Sequence, residues 1–573
     1  MKKQLLAAIA ATMVLGYFGS VSLNAQTGTS TPAKTTKAML VAEPLSPHSQ
    51  TGTTDATTSF STTVAENTVK ADLVAAELPS LHAQASSAAP AAFDPESPAA
   101  IHYKGVTITP VAFFAGEGVW RQHSVNSDIN TPFNTIPMPG ANEGHISELN
   151  FSGRQSRLGV LVEANDGTYK FTGYGEMDFL SSGATSNNNQ SNSYTFRQRQ
   201  IWGKIETKSG FAMSGGQMWS LVTRDGTSTN NRTEKLPNTI DAQYLVGFSW
   251  ERQPSFRIQQ RWGDPKTGAF TAALSLEQAQ ITGFTATSAT SGAVPTNFYF
   301  AGAGQGGGLY NAYSGTYANN VAPDLIVKGA WDLPNALKAH IELGGLARFL
   351  RDYYFPITNT TGGYTYSANA TANTKSAGGV FGNVSISPSP YLDLAVEAMA
   401  GDGVGRYGSS QLADATLHPD GTLEPIRNYH GLISIETHPT PKLDVFAYYG
   451  GEYAQRTVYT VTNTAAPGAL MGYGARNLAD SNCYALPTNP GSSTGGSPSS
   501  PSNCNSPTRY IQEPMVGFIY RVASSPKFGR LQYWVTYHYI QRNLWSGVGS
   551  ATTPSGPRAE DPMVFVSMRY YIP

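Results

Sequence analysis

The hydrophobic pattern between residues 158 and 179 is that of a hairpin with two different faces. One face is apolar and carries Leu158, Val160, Val162, Tyr169, Phe171, Met177 and Phe179. The opposite face carries Glu163, Lys170, Thr172, Glu176 and Asp178. Alternation at every second position is typical of a strand, and Asn165-Asp166-Gly167 between the halves favours a tight turn. The sequence therefore predicts two antiparallel strands whose apolar face needs an apolar neighbour.

The same alternation recurs to the end of the chain. The segment 531–539 and the last strand set apolar residues against a polar face that carries Gln532, Thr536, His538, Ser567 and Arg569. Counting such segments predicts about sixteen strands. They begin near residues 104, 148, 168, 194, 211, 254, 269, 324, 337, 376, 391, 427, 442, 510, 528 and 561.

The connectors between these segments alternate in length. Short connectors, most of them with Pro, Gly or Asn, lie at 164–168, 206–210, 263–268, 333–336, 387–390, 438–441 and 524–527. Long polar connectors lie between them, including 181–193 and 281–322. This alternation predicts an up-and-down meander with all long loops at one end, which is the layout of an outer-membrane barrel.

The apolar faces then have two interpretations. In a transmembrane antiparallel up-and-down β-barrel of about sixteen strands they face lipid, and the polar faces line an aqueous lumen. In a soluble β-sandwich they would face a core. We favour the all-β transmembrane barrel, because sandwiches do not systematically alternate turn lengths and rarely need so many strands.

Three regions follow from the composition along the chain. Residues 1–25 have a basic start, an apolar run and small residues before a cleavage point, and they predict a signal peptide. Residues 26–100 are rich in Ser, Thr, Ala and Pro, and they predict a disordered periplasmic tether. Residues 101–573 form the predicted barrel. The expected location is the outer membrane of a Gram-negative-type bacterium, where outer-membrane lipid is the first partner.

The net charge and the two cysteines bear on three further features: a nucleic-acid partner, a disulfide and a metal site. A net charge of -1 with 13% charged residues argues against a nucleic-acid partner, because no basic field is available. Cys483 and Cys504 lie in a Pro/Ser/Gly-rich stretch of an exported chain, so we predict a disulfide that pins an external loop at about 460–509. A metal site is not expected there, because two cysteines without nearby histidines lack ligands.

Arginines mark the polar faces of two strands. Arg197 and Arg199 share one face, and Arg257 and Arg261 share another. A lipid-facing arginine is costly, so we place all four in the lumen, where they guide anions or, alternatively, balance Glu163, Glu176 and Asp178. Between residues 150 and 265, thirteen Lys and Arg stand against ten Asp and Glu, which gives a weak lean towards anions.

The connector 223–254 is long and ends in an aromatic stretch. Long loops with order of their own are usually functional. We predict that it folds into the barrel and brings Arg224, Arg232 and Lys235, with Asp225 and Glu234, to the narrowest point of the pore. An ordinary surface loop is the alternative.

No catalytic motif accompanies these features. The ten histidines form no metalloprotease motif, and no serine lies in a Gly-x-Ser-x-Gly pattern. His340 and His538 lie on polar strand faces, where a luminal hydrogen bond explains them. We expect no enzyme activity, no metal and no cofactor.

Three segments carry a resemblance to a known family. FSGRQSRLGVLVE, SGGQMWSLVT and WERQPSFRIQQRW resemble the DcaP-like trimeric outer-membrane porins and, more loosely, phosphate-selective porins. The matching residues are Arg154 to Leu158, Gly216 to Trp219 and Arg252 to Pro254. The resemblance implies a homotrimer of sixteen-stranded barrels that passes small hydrophilic, often anionic, solutes by passive diffusion.

Two departures from that family accompany the resemblance. The family often has an N-terminal coiled coil, which this chain replaces with its Ser/Thr/Ala-rich tether. Barrels also usually end on an aromatic residue, whereas Tyr570 and Tyr571 are followed here by Ile572 and Pro573. We expect the C-terminal strand still to engage the barrel-assembly machinery through these tyrosines. The sequence thus predicts a porin, with a substrate-specific or receptor-like barrel as the alternative and an outer-membrane enzyme as a further one.

Overall fold

The computed structural model describes residues 100–573, apart from 182–184, 186–190, 282–286, 300–317, 319, 335, 463–465, 486–500 and 550–555. The predicted signal peptide and almost all of the predicted tether lie outside the described residues. Three short 3₁₀ turns, Phe133–Thr135, Asn142–His145 and Gly405–Tyr407, occur in loops. Within the described ranges, no helix is long and apolar enough to cross a membrane.

The described part of the chain is built from strands. In chain order they are β1 (Ile101–Tyr103), β2 (Val106–Arg121), β3 (Glu148–Ser152), β4 (Arg157–Asn165), β5 (Tyr169–Asp178), β6 (Arg197–Thr207), β7 (Phe211–Trp219), β8 (Arg252–Asp264), β9 (Gly268–Glu277), β10 (Phe298–Tyr299), β11 (Asp324–Leu333), β12 (Ala339–Tyr354), β13 (Ile357–Asn359), β14 (Thr365–Tyr366), β15 (Thr371–Ser389), β16 (Leu392–Asp402), β17 (Ala415–Leu417), β18 (Leu423–Pro425), β19 (Arg427–Thr440), β20 (Leu443–Ala454), β21 (Thr457–Thr460), β22 (Leu470–Tyr473), β23 (Thr508–Ser525), β24 (Gly529–Leu544) and β25 (Arg558–Tyr571).

These strands close into a barrel of sixteen antiparallel strands. The first barrel strand, β2, pairs with the last strand, β25, over Phe113 to Arg121, and this pairing closes the sheet. On its other side β2 pairs with β3 and β4, which together occupy one position in the barrel. The other positions are β5 to β9, β11, β12, β15, β16, β19, β20 and β23 to β25. The predicted fold class and strand number are confirmed.

The predicted connector pattern is also confirmed. The strand pairs β4–β5, β6–β7, β8–β9, β11–β12, β15–β16, β19–β20 and β23–β24 are joined by short turns, and the long connectors lie at the other end of the barrel. In the turn at 165–168, the Asn165 side chain accepts a bond from the Gly167 N–H at 2.8 Å, and Asp166 accepts one from Tyr169 at 2.7 Å. Gly167 has a φ of 89°, which the turn requires and which glycine adopts without strain.

The two faces of the wall differ as the alternation predicts. Phe171, Val566 and Met568 are exposed on the outside, whereas Thr536, His538 and Arg569 are fully buried on the inside. An outer band of apolar side chains on a closed barrel is the surface that hydrocarbon requires, because every strand edge is paired.

The inner face of the last strands is less polar than the sequence predicted. Phe446, Ile511, Met515, Trp534 and Phe565 point inward and are buried. They pack in one cluster with residues of the long loops, including Ile129, Phe133, Leu236, Phe248 and Leu412. A strictly polar inner face was therefore wrong for this sector: apolar side chains occur there because the inward loops cover them from water.

A disulfide joins Cys483 to Cys504, with an S–S distance of 2.00 Å and a Cα–Cα distance of 4.9 Å. Both cysteines are buried in the cluster that contains Phe133 and Leu544. Residues 486–500 of the predicted 460–509 loop lie outside the described residues. The bond therefore ties the base of the loop to the apolar filling of the barrel.

Replacing both cysteines with serine should lower the heat stability of the folded barrel. Chain-entropy arguments give a contribution of about 3 kcal/mol for a bridge that closes a loop of this size. The measurement is the temperature at which the heat-resistant folded band disappears on an electrophoresis gel. Wild-type protein treated with a reductant should shift in the same direction, and an unchanged temperature in both samples would contradict the prediction.

Candidate permeation pathway

The connector between β7 and β8 folds into a hairpin inside the barrel. Asp225 and Glu234 form a β-bridge, and the Lys235 N–H donates to the Arg224 carbonyl at 2.8 Å. At its base, the Ser220 N–H donates to the Glu251 carbonyl at 2.8 Å. We call residues 220–251 the luminal loop. Leu236, Ile240 and Phe248 in this loop are almost fully buried, which an external loop would not achieve.

One half of the luminal loop is held by charged residues on β11 and β12. The Lys328 ammonium lies 2.7 Å from Asp225 and 2.8 Å from Glu342, and its side chain is fully buried. The Thr227 hydroxyl and the Ser228 N–H donate to Asp332 at 2.9 Å and 3.1 Å. These contacts fix the tip of the hairpin against the wall.

The other half reaches strands that are distant in the sequence. Lys235 forms an ion pair with Glu436 of β19 at 3.1 Å. The Gly247 N–H donates to Glu452 of β20 at 2.9 Å, and the Val246 N–H donates to Glu513 of β23 at 2.7 Å. The luminal loop therefore crosses the interior from the β6–β12 sector to the β19–β23 sector.

Two carboxylates face each other within the hairpin. Burial raises the pKa of Asp225, while Lys328 opposes that shift. Burial and the nearby Asp225 charge raise the pKa of Glu234 to about 7. Both groups therefore hold a proton more readily than exposed carboxylates, and Lys328 supplies the positive charge that keeps the hairpin docked.

The predicted arginines of β6 meet the predicted carboxylates of β5. The Arg199 guanidinium lies 2.6 Å from Glu176 and 2.7 Å from Asp178, and Arg197 lies 2.8 Å from Asp178. The Arg199 side chain is 3% exposed, whereas that of Arg197 is 34% exposed. Of the two, Arg197 is therefore the one that water in the lumen reaches most easily. These ion pairs are what the second interpretation of the arginines expects, in which they balance carboxylates in the lumen.

The remaining predicted arginines differ in their contacts: two are buried and bound to neutral oxygen atoms, and two contact a carboxylate or an aromatic ring. Arg257 donates to the carbonyls of Trp219 and Thr229 at 2.6 Å and 3.3 Å, and Arg224 donates to the Ser434 hydroxyl at 3.5 Å. Both side chains are buried, and neither forms an ion pair among the described residues. Arg261 lies 3.6 Å from the carboxylate of Glu206, and the Arg232 guanidinium lies 5.0 Å from the Tyr174 ring centre.

Glu163 lies apart from this group. It pairs with Lys170 at 2.7 Å, and the two side chains are 24% and 45% exposed. Both residues are near the short turn between β4 and β5. The pair therefore occupies the end of the barrel that carries the short turns, away from the luminal loop.

A closed sixteen-stranded barrel with an inward loop has a match among solved structures. The outer-membrane channel DcaP of Acinetobacter baumannii aligns with a TM-score of 0.53 at 14% identity, over 83% of this chain and 100% of that chain. The fold is that of a DcaP-like outer-membrane porin. Together with the apolar outer band, this porin fold places the chain in the outer membrane.

Other porins resemble the chain more distantly. The anion-selective porin of Comamonas acidovorans covers 82% of this chain and 100% of its own, with a TM-score of 0.40 and 9% identity. Pseudomonas putida OprB covers 81% and 94%, with a TM-score of 0.40 and 11% identity. No family model and no curated protein matches the sequence. The relationship is therefore one of fold.

The wall residues that hold the luminal loop escaped the sequence analysis. They lie on the inner face of four strands: Lys328 and Asp332 on β11, Glu342 on β12, Glu452 on β20 and Glu513 on β23. Each shows only the alternation of polar residues on the inner face that many strand residues of this barrel share. Their strand position was predictable, but the partner of each depends on the path of a loop that is distant in the sequence.

Proposed function

We propose that this protein is a porin that forms a water-filled channel for the passive diffusion of small hydrophilic solutes. The supporting observation is the luminal loop, which is held inside a closed sixteen-stranded barrel by polar contacts to two separate sectors of the wall. A barrel of this strand number encloses a channel, and an inward loop narrows it. We also propose that the functional unit is a homotrimer, on the strength of the sequence resemblance.

We propose a weak preference for anions. Arg224 and Arg257 are buried in the interior without ion pairs among the described residues, so they support a positive field. Arg197 and Arg199 add less, because Glu176 and Asp178 compensate them. Fixed charges beside a narrow pore decide which ions enter most readily. The residues of the proposed pathway are Arg197, Arg199, Arg224, Arg232, Arg257, Arg261, Lys235, Glu163, Glu176 and Asp178.

Reversal potentials in a salt gradient test this preference. The wild-type channel should favour anions, and Arg197→Gln should shift the reversal potential towards cations, because Asp178 then loses one of its two positive partners. Arg427→Gln is the control, since Arg427 pairs with Asp402 at 2.8 Å on an exposed part of the barrel. Cation preference in the wild type, or equal shifts for both variants, would contradict the proposal.

A substrate-specific or receptor-like barrel is the second candidate. It is favoured by the packing of loop residues such as Ile129, Phe133 and Leu412 into the interior, which leaves less space for unselective diffusion. Planar-bilayer recording separates the two functions. Ohmic conductance steps that occur in threes support the porin. A silent barrel that binds a solute supports the second candidate, and a silent barrel with esterase activity supports an outer-membrane enzyme.

A further inference from the structure

Two arginines lie against one tryptophan at the end of the barrel that carries the long loops, and a third arginine acts electrostatically on one of them. The Arg456 and Arg509 guanidinium carbons lie 4.5 Å and 4.8 Å from the ring centre of Trp545. Partial burial and the positive charges of Arg476 and Arg509 lower the pKa of Arg456, so Arg456 is repelled by both neighbouring cations. We call Arg456, Arg476, Arg509 and Trp545 the rim cluster.

The rim cluster contains more positive charge than the protein compensates. Among the described residues, none of its arginines forms an ion pair. The undescribed segments 463–465, 486–500 and 550–555 contain no Asp or Glu. The carboxylate of Asp480 contributes a favourable charge to Arg456, but it accepts hydrogen bonds from Ser506 at 2.8 Å and Gly547 at 2.7 Å.

The arginines also retain unused hydrogen-bond donors. Arg456 donates to the Ser546 carbonyl at 2.8 Å, but its Nε atom is buried without an acceptor, as is the Nε atom of Arg509. A buried donor without a partner is costly, and it is more costly when the group is charged. Several guanidinium groups with free N–H donors form the arrangement that binds a phosphate group.

The position of the rim cluster indicates where such a phosphate comes from. Trp545 lies 5.9 Å from Tyr453, and Tyr453 lies 5.9 Å from Tyr429. Tyr429 and Tyr449 are exposed on the outer face of β19 and β20, and Tyr453 alternates with inward Glu452 and Ala454. Outward aromatic residues at strand ends form the girdle that lies at the level of lipid headgroups.

We propose that the rim cluster binds the phosphate group of an anionic lipid in the outer leaflet of the membrane. Arg456 and Arg509 donate to the phosphate oxygens, Arg476 adds charge, and Trp545 holds both guanidinium groups at the headgroup level. A bound phosphate satisfies the two orphan Nε donors and relieves the repulsion of Arg456 by Arg476 and Arg509. A free phosphate ion offers the same chemistry, so the experiment must separate the two sources.

Native mass spectrometry of the full-length detergent-solubilised protein provides the test. Diphosphorylated lipid A should bind the wild type at least about tenfold more tightly than the same lipid with its phosphates removed, as expected for charge-assisted hydrogen bonds. Arg456→Gln combined with Arg509→Gln should abolish this difference. The matched control is Arg427→Gln combined with Arg558→Gln, since both of these arginines already pair with acids. The control should bind like the wild type.

The remaining outcomes each decide the proposal. If inorganic phosphate displaces the lipid only at concentrations far above that of the lipid, a lipid headgroup is the ligand. If inorganic phosphate binds equally well, and the double variant loses it, the cluster is a phosphate site and the lipid assignment is overturned. Equal binding of phosphorylated and dephosphorylated lipid to the wild type overturns the whole proposal. Heat-resistant migration on a gel verifies that each variant is folded, and the wild-type comparison does not depend on any variant.

Discussion

Replacing residues 226–233 with two glycines should raise the single-channel conductance several-fold. These residues form the tip of the hairpin in the luminal loop, and the β-bridge between Asp225 and Glu234 leaves a gap that a short turn closes. The tip occupies the interior, where Ser228 and Thr229 are buried against Thr271 and Gln259. Because conductance depends on the narrowest cross-section, removing the tip should widen the path. Planar-bilayer recordings give the measurement.

The control for this deletion is a shorter connector whose residues are not buried. Residues 360–363 lie in the connector from β13 to β14 and are exposed or half-buried, so replacing them with two glycines removes no buried group. This variant should conduct like the wild type. If the hairpin variant also keeps its wild-type conductance and ion selectivity, the luminal loop does not limit permeation and the constriction proposal fails.

Lys328→Met should destabilise the protein by about 3–5 kcal/mol, because it removes one partner of a buried ion pair and leaves charge uncompensated. Lys328 is fully buried and lies 2.7 Å from Asp225, 2.8 Å from Glu342 and 2.9 Å from the Thr223 carbonyl. Loss of the ammonium should also release the hairpin from β11 and β12. The measurements are the unfolding temperature of the folded barrel and the current noise of single channels, which should increase as the loop moves.

Lys170→Met is the matched control for this substitution. Lys170 forms an ion pair of the same length, 2.7 Å, but its side chain is 45% exposed. Exposed pairs contribute about 0–1 kcal/mol, so this variant should unfold close to the wild-type temperature. Adding Glu342→Gln to Lys328→Met should restore part of the lost stability, because it removes one of the two buried negative charges that Lys328 compensated. Equal effects of the two lysine variants would contradict the buried-pair explanation.

The wall of the barrel was predictable because its signals are local. Successive side chains of a strand point to opposite faces, so the alternation in a segment such as 531–539 shows which residues face outward. The short turns that contain Pro, Gly or Asn mark one end of the barrel. The same local logic offered, as one of two alternatives, that Arg199 balances Glu176 and Asp178, since all three lie on the inner faces of neighbouring strands.

The interior was harder to predict because its contacts join distant parts of the sequence. Phe446, Trp534 and Phe565 are inward apolar residues in strands that otherwise follow the polar-inside rule. They are explained only when Phe133 and Phe248 of two separate loops pack against them. Likewise, Glu513 and Val246 are hydrogen-bonded across 267 residues. No periodicity of the chain encodes such a pair.

The sequence by itself determined which face of each strand is apolar and where the short turns lie, and these local signals favoured a barrel of about sixteen strands with lipid outside over a soluble sandwich. Only the tertiary structure decided how the interior is filled. The luminal loop is fixed by buried ion pairs such as that between Lys328 and Asp225, and these depend on distances in space between residues that are separated along the chain. The same reason applies to the rim cluster, where Arg456, from the connector after β20, and Arg509, from β23, meet at Trp545.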